Sequence, residues 1–466
     1  MSSPFNEEKY KQLLEGLEVS VVKYSEIEKE NRYDSEFFKQ RFLKNDDLLL
    51  SKKHFLISDG FTVTDGEHGS VEYLESGVKY LTAENVKNGF VDISNVRYVS
   101  QEVDFRNRRS SVETGDILIS IKGTLGQIAV AESWLKPCNM NRDVAILKAK
   151  ADNKKNYYLA IFLMSKFGEI QSSRGGSGGV QQMITLERLR NFVVPEMTDS
   201  FYQQIETLVK SAHAKLAESK SLYAQAEDTL LGEFGLKGWR PNNNPVNIKQ
   251  LKDSYLASGR LDAEYYQAKY EDYATFIWKY IGGADTLGNI CTLNEKNFNP
   301  LDSCEYKYIE LSNIGNSGEI TGCTTSIGAE LPSRARRLVR TNDVIVSSIE
   351  GSLQSVALVT DEYDNAICST GFYVVKSETI NPETLLVLFK SEPMQNLLKQ
   401  GCSGTILTAI GRNELQNIVM PKIRNEVQTE IATYVQKSIS LRNEAKQLLE
   451  SAKLKVEDII STPPLI

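Results

Sequence analysis

The chain has 466 residues, 41% of them apolar and 25% charged, with 12 prolines and a formal net charge of −7. That length exceeds one typical domain and that apolar content supports real cores, so a small stapled scaffold, a disordered chain and a fibrous one are excluded. No stretch approaches eighteen uninterrupted apolar residues, and the opening MSSPFNEEKYKQ has no basic segment followed by an apolar run, so the expected location is the cytoplasm.

In chain order, residues 1–45 read as a helical N-terminal segment. Over 46–198, short runs rich in Val and Ile, bounded by Gly, Asn and Asp, read as strands: Val78 to Leu81, Ile117 to Ile121, Val144 to Leu147 and Phe192 to Val194. Asn156 to Phe167 reads as a helix, so an α+β domain is expected. From 199 to 235, Ile205, Leu208, Val209, Ala212, Leu216, Leu222, Tyr223, Ala226 and Leu230 keep the three-and-four spacing of a helix seam. Gly232 to Asn247, rich in Gly, Asn and Pro, opens a connector that occupies 236–274 together with the start of a second repeat. A second α+β stretch covers 275–421. Residues 422–466 form a second long helix, with Val427, Ile431, Tyr434, Val435, Ile439, Leu448, Leu449, Ala452 and Val456 along its seam.

An internal repeat organises all of this. Arg32-Tyr33-Asp34-Ser35-Glu36-Phe37-Phe38 returns 228 residues later as Arg260-Leu261-Asp262-Ala263-Glu264-Tyr265-Tyr266. Lys79-Tyr80-Leu81 with Asn85-Val86 returns as Lys307-Tyr308-Ile309 with Asn313-Ile314. Asp116-Ile117-Leu118-Ile119-Ser120 returns as Asp343-Val344-Ile345-Val346-Ser347, and Leu189-x-Asn191-Phe192-Val193-Val194-Pro195 as Leu415-x-Asn417-Ile418-Val419-Met420-Pro421. Four matches in one order and at nearly one offset describe a tandem duplication of a unit of roughly 230 residues. A long apolar seam needs a partner to cover it, and the duplication supplies one. Two equivalent helices packed as an antiparallel coiled coil would relate the α+β domains by a pseudo-twofold axis.

Asp65-Gly66-Glu67-His68, Gly77-Val78-Lys79-Tyr80-Leu81, Gly115 to Ser120 with Gly123-Thr124-Leu125-Gly126, and Leu189 to Pro195 leading into a long helix together resemble a specificity subunit of a type I restriction-modification system. The resemblance covers both repeats, although the second lacks Asp-Gly-x-His. It implies two target recognition domains that each bind half of a bipartite double-stranded DNA site. It also implies two methyltransferase subunits as partners, endonuclease or translocase subunits in the full complex, and no chemistry in this chain. S-adenosylmethionine would belong to the partner. A fused methyltransferase-nuclease partner, as in type IIB-like systems, and a scaffolding role without DNA are the competing readings.

Three stretches carry candidate DNA contacts. In the loop Ile121 to Gln127, Lys122, Gly123, Thr124 and Gln127 offer a cation, close backbone approach, a hydroxyl and an amide, and Ser352 and Gln354 are the second repeat's counterparts. Arg106, Arg108 and Arg109 recur as Arg334, Arg336 and Arg337, which in an acidic chain suits phosphate binding. Arg174, Gln181 and Gln182 flank a glycine-rich run, with Lys399 and Thr405 in the equivalent stretch. His68 joins the set through the resemblance alone.

Catalytic signatures are missing from the sequence. Asn299-Pro300 lacks the second proline and the aromatic of an adenine methyltransferase, and there is no G-x-x-x-x-G-K-[ST] or G-x-S-x-G. Cys138, Cys291, Cys304, Cys323, Cys368 and Cys402 form no C-x-x-C pair and have no histidine at ligand spacing, which points to reduced thiols rather than zinc or disulfides.

Overall fold

A computed structural model describes residues 8, 12–30, 32–151, 154–177, 183–244, 246–404 and 408–462. The chain divides into two compact units, residues 1–215 with 444–466, and residues 216–443.

In the first unit α1 (Gln40–Leu50) leads into β1 (His54–Leu56), β2 (Phe61–Asp65), β3 (Val78–Leu81) and β4 (Arg97–Val99). There follow α2 (Gln101–Arg106), β5 (Ile117–Ser120), β6 (Ile128–Val130), β7 (Cys138–Met140) and β8 (Val144–Ala149). Helices α3 (Asn156–Met164) and α4 (Lys166–Gly175), strand β9 (Val193–Pro195) and the long α5 (Asp199–Glu233) complete the series. An antiparallel sheet of order β2-β8-β5-β6 packs on a second sheet of order β4-β3-β7, in which β3 and β7 run parallel. Successive strand residues face opposite sides: Ile117, Ile119 and Leu147 enter a core with α3 and α4, while Leu118 and Ile146 meet Leu81 and Met140. A strand buried on both faces has no polar side to alternate, which is why these runs read as continuous apolar segments. The helix expected over 156–167 is broken at Ser165, whose backbone is extended (φ −75°, ψ 163°) and whose hydroxyl donates to the Phe162 carbonyl at 2.6 Å.

The second unit contains α6 (Ala268–Trp278), β10 (Ala284–Thr286), β11 (Cys291–Asn294), β12 (Glu305–Ile309), β13 (Thr324–Ile327) and β14 (Ala335–Leu338). Next come β15 (Val344–Ser347), β16 (Val356–Leu358), β17 (Ile367–Ser369) and β18 (Phe372–Ser377), then α7 (Pro382–Lys390), α8 (Glu392–Gly401), β19 (Val419–Pro421) and α9 (Asn425–Ser461). Its central sheet has the order β11-β18-β15-β16, strand for strand the succession of the first unit, and its second sheet has the order β13-β12-β17-β14. The one added strand is β14, which takes the place of α2 and the 3-10 turn Arg108–Ser110.

Each core draws on both long helices. The first holds Tyr202, Ile205 and Val209 of α5 with Ala452, Val456 and Ile460 of α9. The second holds Tyr223, Ala226 and Leu230 of α5 with Val427, Ile431 and Val435 of α9. Within the second unit, Glu218–Lys437 (3.1 Å), Thr229–Glu430 (3.5 Å) and Glu233–Arg424 (2.6 Å) ascend one helix while descending the other, an antiparallel pairing. At its centre the fully buried Ser219 and Ser438 place their hydroxyls 2.9 Å apart, and each hydroxyl donates to the other residue's carbonyl at 2.9 Å. At the matching positions of the first unit stand Ala445 and Ala212, also fully buried.

Three of the four recurring motifs prove to be turn clasps, while the fourth supplies core residues and the strands β9 and β19. Asp34 accepts from the Phe37 amide (3.0 Å) and Arg32 Nε (2.7 Å), and Asp262 does the same with Tyr265 (3.0 Å) and Arg260 (2.8 Å). Asn85 closes its turn on the Thr82 amide at 2.9 Å, as Asn313 does on Glu310 at 2.8 Å. Asp116 accepts from the Glu113 amide and Asp343 from the Arg340 amide, both at 2.8 Å. All six are short polar side chains bonding nearby backbone, the chemistry that makes such residues turn formers.

Candidate nucleic-acid interface

In the first unit, Asp65, Ser120 and Val144 lie side by side, since β8 pairs Ala145 with Asp65 and Val144 with Ser120. The loops leaving these residues therefore share one sheet edge. Gly66 is required there: a Cβ would stand 1.9 Å from the Met140 carbonyl oxygen. Its neighbours tie the edge together. Asp65 accepts from His68 Nε2 at 2.8 Å and lies 3.5 Å from Arg109 Nη1, while Arg109 also donates to Thr64 Oγ1 (2.8 Å) and the Gly66 carbonyl (3.1 Å). Glu67 accepts from the Gly69 amide (2.8 Å) and Asn107 Nδ2 (2.5 Å) and pairs with Arg106 at 3.5 Å. Those donors hold its carboxyl below the usual range, the Gly69 amide foremost. Arg106, Arg108 and Arg109 are exposed, and Arg108 lies over the Phe105 ring at 5.8 Å.

The 121–127 loop occupies the same edge. Gly123 (φ +71°) and Thr124 are exposed, and a Cβ at Gly123 would meet open space. Lys122 is half-buried and has no hydrogen-bond or ion-pair partner among the described residues. Gln127 is turned inward, its Oε1 accepting from the Asn88 amide at 3.2 Å, so its amide group serves the neighbouring hairpin instead of solvent.

Arg174 departs from its expected role. Its side chain is 5% exposed, donates from Nε to the Phe37 carbonyl at 2.9 Å, bonds Asp46, and lies 4.2 Å from the Phe37 ring centroid. The arginine binds the N-terminal segment to α4 and presents nothing to a ligand. Gln181, Gln182 and Thr405 lie outside the described residues.

The second unit builds the corresponding edge with other groups. Arg337 donates to Asn297 Oδ1 (2.9 Å) and the Glu295 carbonyl, Arg334 pairs with Glu310 (2.8 Å), and Arg336 bonds the Ser333 carbonyl (3.0 Å) and Asn299 (3.3 Å). Here the three arginines stand on or beside a strand; in the first unit Arg106 ends a helix and Arg108 and Arg109 lie in a 3-10 turn, so equal spacing in sequence is not equal geometry. Ser352 is committed to its own turn, sharing a hydrogen bond with Ser347 at 3.0 Å, whereas Gln354 is exposed. Lys399 lies 3.6 Å from Glu264.

Sequence reasoning overlooked two cations on these edges, Arg142 and Lys296, both exposed and without a side-chain partner among the described residues. Arg142 was legible as the charged residue of an Asn141-x-Asp143 turn immediately before an apolar strand. Lys296 carries no such signal.

Among the described residues no group of His, Cys, Asp or Glu could hold a metal ion, and no helix is long and apolar enough to cross a membrane. All six cysteines are free; Cys304 is exposed, and Cys138, Cys291, Cys368 and Cys402 are buried.

Residues 67–195 match the family profile of the type I restriction modification DNA specificity domain, a stretch that runs from the sheet edge at Glu67 to the end of β9. That match lies wholly within the first unit. Over 157 residues it is 25% identical to the type I restriction enzyme EcoBI specificity subunit of Escherichia coli, an alignment that takes in 34% of this chain and 32% of that relative's length. The S subunit of a type I restriction-modification system from M. genitalium is 13% identical, with 89% of this chain and 96% of that one covered at a TM-score of 0.38. For the HsdS subunit from Thermoanaerobacter tengcongensis the values are 14%, 89%, 97% and 0.28.

Proposed function

We propose that the chain is the DNA-recognition component of a restriction-modification complex, each unit reading one half of a split, asymmetric site. The observation that carries this reading is the family match over 67–195, because the matched stretch contains the edge where Lys122, Arg106 and Arg109 gather. The same strand order recurs in the second unit, as a tandem duplication requires, and there the edge carries different side chains. Different groups on a like scaffold are what two different half-sequences call for. Chemistry is assigned to partners: two methyltransferase subunits supplied with S-adenosylmethionine, and endonuclease or translocase subunits in the full assembly, in the cytoplasm. The long helices act in this reading as an antiparallel coiled coil that sets the distance between the half-sites.

The test is to express the chain with a methyltransferase subunit from the same host and map methylated adenines by long-read sequencing. Two short specified blocks around a nonspecific spacer are expected. A continuous motif, or methylation unchanged when this chain is omitted, would overturn the assignment.

A further inference from the structure

The motifs common to both units are spent on turns and on the cores, so what distinguishes the units at their edges is where recognition can diverge. One position stands out. Arg142 lies in the turn two residues before the central strand β8, and its backbone is held on three sides. Its own amide donates to the Glu67 carbonyl at 3.0 Å, the Ile121 amide donates to the next residue's carbonyl at 2.9 Å, and Asn141 and Asp143 close an Asx turn around it through bonds of 2.8 and 3.0 Å. The side chain itself is exposed and unpartnered among the described residues. Its neighbours Arg106 and Arg109 already spend their guanidinium groups on Glu67, Thr64 and Gly66. A free guanidinium on a rigid turn is placed to donate two parallel hydrogen bonds, the pattern that O6 and N7 of guanine accept in the major groove. The corresponding position of the second unit, fixed by the match of β7 to β17, is Thr370, which cannot make that fork.

We propose that Arg142 reads a guanine in the half-site bound by the first unit. This rests on the DNA-recognition reading above. The complex of full-length chain and methyltransferase subunits is used to select sequences from a random double-stranded DNA library, with the native chain, Arg142→Ala and Arg142→Lys. For the native complex one half-site contains a guanine preferred on the order of 5- to 150-fold, the factor a bidentate pair supplies. Both variants are expected to lose that preference while the other half-site and the spacer stay the same; lysine does not rescue, because a point charge lacks the fork. If lysine restores binding and neither variant alters the selected bases, Arg142 contacts phosphate and the proposal falls. It falls equally if both variants select the native motif unchanged. A native complex that selects no bipartite motif at all would instead overturn the DNA-recognition reading itself.

Discussion

Arg174 and Arg142 carry the same group and hold opposite places in this protein. Arg174 gives its guanidinium to Phe37 and Asp46 inside the first unit, so Arg174→Met is expected to cost about 1–3 kcal/mol in urea unfolding, because the Phe37 carbonyl and the half-buried Asp46 carboxylate lose their donor. The recognised DNA sequence should not change. Lys390 is the second unit's buried cation: burial brings it down to about 8, and its ammonium donates to the Gln354 carbonyl at 2.8 Å. The folded form thus loses this proton before the unfolded chain does. Below about pH 8 both states carry the charge and its burial costs stability; from there to about pH 10.4 the unfolded chain binds more protons, so stability rises with pH. Lys390→Met, which reproduces Met164 of the first unit, should remove that rise, and the advantage of the variant over the native chain should shrink by on the order of 1–2 kcal/mol between about pH 7.5 and 9.5. Composition singles out an arginine beside glycines as a ligand group, yet whether it faces water is decided by Phe37, a residue 137 positions away. No local pattern contains that.

At the scale of elements, the sequence was most legible where burial is two-sided or helical. Strands such as Ile117–Ser120 and the two long helices follow directly from apolar spacing. The arginine clusters were less legible. Both share one spacing, but Ala335–Leu338 pairs as a strand with Ile367–Ser369, whereas the first unit's stretch meets the matching strand β7 through bonds from a 3-10 turn, such as Ser110 to Asn139 at 2.9 Å. Between β3 and β4, Val86–Lys87 and Phe90–Val91 form a hairpin whose turn residue Gly89 (φ +92°) offers its carbonyl to His213 of α5 at 2.7 Å. A Cβ there would stand 2.5 Å from Leu449 Cδ1 of α9. Gly89→Ala combines left-handed strain with overpacking, and a loss of about 1–3 kcal/mol is expected by thermal unfolding.

For the molecule as a whole, the ruler reading makes a quantitative demand. Inserting four residues into each long helix, beside Ala212 and beside Ser438, adds about one turn, or about 6 Å at about 1.5 Å per residue. Both half-sequences should persist while the spacer grows by about two base pairs, since about 34 Å of duplex holds about ten; the adenine methylation map reads this directly. Changed half-sequences with a constant spacer would contradict it. Because 61 acidic residues outnumber 54 basic ones, most of the salt-dependent affinity of the proposed complex should come from surfaces outside this chain.

The way the chain is apportioned also sets an order in time. The second unit is one continuous segment, 216–443, whereas the first needs both 1–215 and 444–466. Ala452, Val456 and Ile460 are core residues of that first unit, so the last segment of the second unit leaves the ribosome before the segment that completes the first. The usual expectation that the N-terminal domain folds first is reversed. Until 444–466 emerge, the half of the protein made earliest keeps the apolar surface around Tyr202, Ile205 and Val209 incompletely covered, and that interval is when the nascent chain is most exposed to aggregation and to chaperones.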